Sequence, residues 1–541
     1  MDDKVITAPT GPSAPQVGAE GPSNALRSAL RDRRFFWSLE FIPSSQKVLR
    51  DDFNKLEELA SAVSLMPTLT GFSVTDRVIS DHDPDPIAAA SHLMAKTGKQ
   101  PLVHFSGKGR ETHHLEDTLR RMQDNGLENI LMLTGDRLHE EPVGSRPRYL
   151  ESVPAIAMAK AFNPNIFVAG ALNPFKYREE DGMAQYLKLG KKINAGCDLI
   201  ITQVGYDIIK HEEAMYWIDG RKYNTPIVAN LMPMTAARAR YIRANQLAGV
   251  TVTDSFLALL EADEALTSDR GVARSMRRLA LQILGVRYLG YAGVQLTGIH
   301  SLTKVKELQA IVRECAEICP DRITWRRAWE EACTLPSSDR ASLAPRDTPW
   351  YLLKGTTQFA SGKARAKYHV MKFVHDWAFE RGPVSRLFGT AVRAIGRRTP
   401  AGKITERVER AIKNPIFGCE TCGMCRLAAT QYVCPETCPK GLANGPCGGT
   451  AKNLCEFRDR ECIHSAKYRI AKSAGRLDEL ERLIIPAVPA ALRHTSSWPP
   501  HFRGQGPAIK VAQDGRLFPL NPRNAVDDGD QSTGSNPALT S

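Results

Sequence analysis

The chain has no run of 18 or more apolar residues, so no segment reads as a membrane-spanning helix and no membrane partner is expected. Nor does a basic stretch lead into an apolar one at the N-terminus, which opens on Asp2 and Asp3; no secretory leader is expected, and the protein reads as cytoplasmic. Also missing are a G-x-G-x-x-G turn and a G-x-x-x-x-G-K-[ST] loop, the cradles by which doubly wound sheets and phosphate-loop enzymes hold nucleotides. What is present is a globular balance, 42% hydrophobic and 24% charged residues in a length of 541. That length suits about three or four domains, or one large barrel with smaller parts.

Two features are spread unevenly. Of twelve cysteines, Cys197, Cys315, Cys319 and Cys333 are scattered, whereas eight fall between Cys419 and Cys462. In a reducing compartment such density points to metal more readily than to disulfides. Of the net charge of +13, residues 340–414 carry +11, with sixteen Lys/Arg against five Asp/Glu. So local a basic stretch suits a solvated helical face, nucleic acid, an acidic protein or a polyanionic small molecule.

Residues 35–315 alternate short apolar runs with amphipathic stretches. FFWSLEFIP, GFSVTD, PLVHFSG, NILMLTGD, NIFVAGALN, LIITQVGYD, PIVANLMPM and YAGVQLTGI make eight strand candidates. Each is continuously apolar, as strands buried on both faces are, and intervening segments such as LEDTLRRMQDNG and GMAQYLKLGKKINAG have helical spacing. Eight such alternations in about 280 residues predict an α/β fold, a (β/α)8 barrel followed by a helical, Cys-rich metal-binding domain, with chemistry at the C-terminal strand ends. The Pro-, Gly- and Ser-rich ends lack the apolar pattern that would offset ordering entropy. The division expected is a loose segment over 1–30, the barrel over 31–318, a basic helical linker over 319–414, the Cys-rich module over 415–480 and an extended tail over 481–541.

The polar residues that close the strands should converge on one mouth: Glu40, Thr75, His104, Asp136 and Gln203. Two carboxylates and a histidine in one cavity suit proton and hydride chemistry. Any one of them alone more often caps a helix or satisfies a turn.

SLEFIP at 38–43, SVTD at 73–76, His104, LTGD at 133–136, Tyr149 in RYLESV, KKINAG at 191–196 and ITQ at 201–203 resemble, in order and spacing, the methylenetetrahydrofolate reductase family across the whole barrel. The resemblance implies that Glu40 is the general acid near N5 of the folate; its carboxyl would need a raised pKa, for which Leu39, Phe41 and Ile42 offer an apolar flank. It implies that Asp136 sits beside a flavin and stabilises the cationic iminium form of the folate, and that Gln203 binds folate and nicotinamide. Thr75, His104, Thr134, Gly135, Asp136, Tyr149, Lys191 and Lys192 match positions that hold the flavin, the two lysines as partners for its phosphates. The implied activity is flavin-dependent interconversion of 5,10-methylenetetrahydrofolate and 5-methyltetrahydrofolate in one-carbon metabolism, with the direction open. Ala171-Leu172-Asn173-Pro174 and Gln185 depart from the family pattern along the expected flavin and adenosine contacts, which leaves FAD and the shorter FMN both open.

The eight clustered cysteines are Cys419, Cys422 and Cys425, in C-x2-C-x2-C spacing, then Cys434, Cys438, Cys447, Cys455 and Cys462. Close pairs separated by Pro and Gly allow thiolates to converge at about 2.3 Å on one ion. The first three resemble the start of a ferredoxin run, which the later spacing does not complete, so zinc and an iron–sulfur cluster both stand. The segment also resembles the Cys-rich C-terminal domain found with reductases of this family. Zinc would leave NAD(P)H as the electron source, whereas a cluster would admit a reduced protein donor, an acidic one suiting the basic lead-in. The polyanion for that lead-in could equally be a polyglutamylated folate. Two rival readings are a folate-dependent methyltransferase or demethylase component without flavin redox chemistry, and a metal module that binds nucleic acid; the Glu40, Asp136 and Gln203 set argues against the second. Oligomeric state is open, homo-oligomers included.

Overall fold

The structure, a computed structural model, describes residues 23–43, 50–78, 80–138, 148–345, 359–380 and 382–511. Most of the segment expected to be loose, 1–22, and the end of the expected tail, 512–541, lie outside the described residues.

Each of the eight apolar runs forms a strand, and the eight close into a parallel barrel in chain order. They are β1 (Phe36–Phe41), β2 (Leu69–Val74), β3 (Leu102–Ser106), β4 (Asn129–Leu133), β5 (Phe167–Leu172), β6 (Leu199–Thr202), β7 (Ile227–Leu231) and β8 (Gly293–Leu296), with helices between them. Side chains alternate across a strand, and burial sorts them into two cores. Trp37, Leu39, Phe72, Val74, Val103, Ile130, Val168, Ile200 and Val294 pack outward against the helices. Phe36, Leu102, Leu131, Phe167, Ala169, Leu199, Ile201 and Val228 fill the barrel interior. The parity that turns Phe36 inward also turns Glu40 inward, and the same count puts Thr75, His104, Gln203, Asn230 and Thr297 on inward positions at the C-terminal ends.

Three boundaries differ from expectation. Ala25–Arg31 is a helix whose Leu26 and Ala29 join the interior core, so residues 23–30 plug the barrel instead of lying loose. The barrel unit runs past 318: helix Arg322–Ala332 buries Trp325 and Trp329 in the outer core, and the Trp325 indole N–H donates to Leu281 O at 2.7 Å. Residues 481–511 are not extended, because Ile485 is fully buried, Trp498 is buried, and Leu483–Ile484 pairs antiparallel with Lys510–Val511. Apolar anchors spaced too widely to form a periodic run hold both ends down.

The helix Glu179–Asn194 carries Glu179, Glu180 and Asp181 in its first turn and Lys191 and Lys192 in its last, the arrangement its dipole favours. Helical spacing suggests one buried face, yet the helix is buried on nearly all sides. The Cys-rich module covers the second face. Tyr468 OH donates to Glu179 at 2.8 Å, Arg469 pairs with Glu180 at 2.9 Å, and Asn453 N donates to Asp181 at 2.6 Å. Among the described residues no helix is long and apolar enough to cross a membrane.

Candidate active site

Register decides which residues meet Glu40. Leu39 of β1 pairs with Leu296 of β8, and Leu231 of β7 pairs with Leu296, so Thr297 emerges beside Glu40 at the same height. The Thr297 hydroxyl is bonded both to the Glu40 carboxylate and, at 2.8 Å, to Asn230 Oδ1. Burial pushes the Glu40 carboxyl above its ordinary value, and the Thr297 hydrogen bond offsets part of that rise. With no cationic partner in that balance, the carboxyl is arranged to keep a proton to higher pH than a surface glutamate does. Thr297 and Asn230 escaped the reading of the sequence. The available signal was Asn230 itself, a polar residue inside the apolar run PIVANL.

Further round the mouth, His104 Nε2 shares a 2.6 Å hydrogen bond with Ser73 Oγ, and burial lowers the His104 ring to about 3. It is therefore a neutral hydrogen-bonding group at physiological pH, not an acid. The Thr75 and Ser106 hydroxyls are buried without a hydrogen-bond partner among the described residues, as befits groups that face a polar ligand. After β4, Thr134 Oγ1 lies 3.5 Å from Ser152 Oγ. Gly135 takes φ +83, and a Cβ there would stand 2.2 Å from Ser106 Oγ, so only glycine lets this loop approach. Asp136 is exposed at the rim, at the end of the strand lying across the barrel from β8. Tyr149 OH accepts from Leu138 N at 3.1 Å. Gln203 is partly exposed at the end of β6, its amide donating to Ala248 O at 3.3 Å. Glu40, Thr75, His104, Asp136 and Gln203 thus share one rim.

Lys191 and Lys192 do not join them. Lys191 is 1% exposed and faces Lys188, Lys467, Glu151 and Glu481; Lys192 donates to Ala171 O. Burial drives both lysines down, Lys192 to about 7. The module covers Lys191 with Lys467 and Glu481, and it lays the loop around Gly441–Thr450 over the neighbouring Lys188. Lys188 Nζ donates to Gly445 O and Pro446 O at 3.1 and 3.0 Å and pairs with Glu151 at 3.0 Å. A Cβ on Gly445 would stand 2.7 Å from Lys188 Cβ. The residues that depart from the family pattern contact this loop: Asn173 donates to Gly448 O at 2.9 Å and Gln185 to Cys447 O at 2.7 Å.

The eight clustered cysteines fall into two neighbourhoods. Cys434 lies within electrostatic reach of Cys419, Cys422 and Cys425. Cys438 is felt by Cys447, Cys455 and Cys462. Burial pushes the Cys434 and Cys447 thiols up to about 12. Among the described residues no three Cys, His, Asp or Glu side chains stand close enough to hold a metal ion. The second neighbourhood abuts the rim, since Lys440 bonds both Glu456 and Gly135 O, at 2.6 and 2.8 Å, and Glu456 lies 3.2 Å from Cys447 Sγ.

A closed parallel barrel with polar groups at its strand ends is the architecture of a barrel enzyme, whose active site lies at that mouth. Residues 25–311 match the family model "Methylenetetrahydrofolate reductase" and residues 401–488 the model "Methylene-tetrahydrofolate reductase C terminal". The chain belongs to the methylenetetrahydrofolate reductase family. It is 26% identical over 180 residues to methylenetetrahydrofolate reductase 1 of Schizosaccharomyces pombe, covering 31% of this chain and 29% of that one. Over 241 residues it is 22% identical to methylenetetrahydrofolate reductase 2 of Saccharomyces cerevisiae, covering 43% and 39%. It is also 24% identical over 229 residues to methylenetetrahydrofolate reductase (NADH) 1 of Arabidopsis thaliana, covering 39% and 37%. The chain thus spans well under half the length of these curated relatives. A solved Clostridium thermocellum protein that binds two copies of 5-methyl-5,6,7,8-tetrahydrofolic acid overlays 54% of this chain and 100% of its own, at a TM-score of 0.41 and 13% identity; so loose an overlay carries no argument.

Proposed function

We propose that this chain exchanges a hydride between a bound flavin and the one-carbon unit of folate, interconverting 5,10-methylenetetrahydrofolate and 5-methyltetrahydrofolate. The observation that carries the reading is Glu40, an inward carboxyl at the mouth whose affinity for a proton is raised by burial. In this reading Glu40 gives its proton to N10 of the folate as the bond from the one-carbon unit to N10 breaks and the iminium forms at N5, and takes it back in the reverse direction. Thr297, anchored by Asn230, keeps the carboxyl aimed. Asp136 at the rim stabilises the positive charge that develops on the opened folate, and Gln203 holds the folate by its amide. When bound, the flavin supplies the hydride chemistry. Thr75, His104, Thr134, Gly135 and Tyr149 would hold it, and the orphaned Thr75 and Ser106 hydroxyls fit a polar heterocycle; Lys191 and Lys192, spent inside the protein, do not fit its phosphates.

The domain division we favour is a barrel over 23–345 and a module over 359–511. Each four-cysteine neighbourhood is a candidate set for zinc or an iron–sulfur cluster. The cysteines are not drawn together tightly enough here to hold an ion; were the second set to take a cluster, its link to the Gly135 loop through Glu456 and Lys440 would put that electron source beside the mouth, with a reduced protein as donor. NAD(P)H is the alternative donor, in line with the relative named as an NADH enzyme. We place the protein in the cytoplasm.

Cofactor and metal analysis of protein purified without oxygen, followed by anaerobic 5-methyltetrahydrofolate oxidation with an artificial acceptor, tests the proposal. A yellow protein that turns over is expected. A colourless one that transfers a methyl group without reducing the acceptor would return the methyltransferase reading.

A further inference from the structure

With Lys191 and Lys192 walled off, a flavin phosphate needs another partner. A narrow cleft opens where the barrel meets the module. The barrel contributes Arg110, Arg148 and Tyr149, the module Arg426, Lys440 and Arg493. Arg110 is committed to Asp76 at 2.5 Å. The carboxylate of Glu436 is shared by three guanidiniums, Arg426 at 2.7 Å, Arg493 at 3.8 Å and Arg148 at 3.9 Å. Glu111 and Glu151 also line the cleft; Glu151 is paired with Lys188, so three guanidiniums face the two carboxylates of Glu436 and Glu111 and one positive charge is left over. Arg426 is 5% exposed, and the Nε atoms of both Arg426 and Arg493 are buried without a hydrogen-bond partner among the described residues. Buried guanidinium donors left unpaired are costly unless an anion completes them.

The cleft is joined to the mouth. Lys440 lies over the Tyr149 ring, 5.2 Å from its centroid, while its Nζ donates to Gly135 O. An anion held by the arginines would therefore sit at the end of a ligand running from the Gly135 loop past Tyr149.

We infer that the phosphate of the bound flavin is held in this cleft by Arg148 of the barrel together with Arg426 and Arg493 of the Cys-rich module, and not by Lys191 and Lys192. The inference rests on the flavin reading above. It makes the module part of the cofactor site: a barrel without its module would lack two of the three phosphate partners.

The test uses the full chain, stripped of flavin and titrated with FMN, FAD and riboflavin by fluorescence. Arg148→Ala and Arg493→Ala should each weaken the phosphate-bearing flavins about tenfold or more while leaving riboflavin unchanged. Lys192→Met should change none of the three. Thermal unfolding of each variant checks that the fold survives. Equal losses for riboflavin and FMN in the arginine variants, no loss in them, or a loss of FMN in Lys192→Met would each overturn the assignment while leaving the flavin reading intact. Wild-type protein that binds none of the three would sink that reading and the assignment with it.

Discussion

At the β1, β7 and β8 ends of the barrel mouth, Thr297 bonds to Glu40 and to Asn230, and no side-chain hydrogen bond joins the three to the module among the described residues. At the β5 and β6 ends, Asn173, Lys176, Gln185 and Lys188 are bonded to carbonyls of the Gly445–Thr450 loop. The two sides use similar polar residues to opposite ends. One keeps an acid desolvated and without a cation, a state that lends no stability but readies a proton. The other matches each donor with an acceptor and fixes the module in place. A polar residue at a barrel mouth is therefore no sign of chemistry until its partners are known.

That contrast can be broken first at Glu151. Its carboxylate takes hydrogen bonds from Ala443 N, Asn444 N and Asn444 Nδ2 and pairs with Lys188. Glu151→Ala would leave Lys188 buried without its anion, and chemical unfolding should show a loss of about 3 to 5 kcal/mol. A loss under about 1 kcal/mol would mean that the docked side is no better matched than the open one.

Acid should act on the same side. Burial opposes the Glu151 charge, but Lys188, Asn444 and Ala443 N hold its carboxyl at about 2 against an ordinary 4.5. A depressed carboxyl lends stability that is complete above its unfolded value and is lost as pH falls through the folded one. The contribution is on the order of 3 kcal/mol. Amide exchange in residues 441–450 should accelerate as pH drops from 4.5 toward 2, and protection that persists unchanged would remove Glu151 from the account.

Smaller effects sharpen the picture. Asn173→Ala, which deletes bonds to Gly448 O and Gly249 O and the one accepted from Phe175 N, should lower stability by about 1 to 3 kcal/mol, with faster exchange in the loops it joins. The sign reverses at Glu40. Its raised carboxyl penalises the folded state as pH climbs past 4.5, so Glu40→Gln should be neutral or slightly stabilising at neutral pH. Measurable destabilisation in a thermal melt would show that Glu40 serves the fold.

The barrel was legible because strands buried on both faces leave continuous apolar runs, and all eight runs form strands. Glu40, Thr75, His104 and Gln203 were legible as strand-closing residues, since a period of two fixes which of them turn inward. Their partners were not: Thr297 reaches Glu40 only through the β1–β8 register, which no single run encodes. The roles of Asn173 and Gln185 were hidden for a different reason, because a loop more than 250 residues downstream decides whether they face a ligand or a carbonyl. The anchoring of residues 483–511 rests on isolated apolar side chains such as Ile485 and Trp498, which leave no periodic trace.

The most direct test of the account mixes 5-methyltetrahydrofolate with wild-type and Glu40→Gln protein under anaerobic conditions and follows the flavin absorption band. Wild-type protein should bleach, and the variant should bleach slower by about a hundredfold or more, as expected when a general acid–base group is removed. Bleaching at the wild-type rate in Glu40→Gln would contradict the central claim that this carboxyl carries the proton.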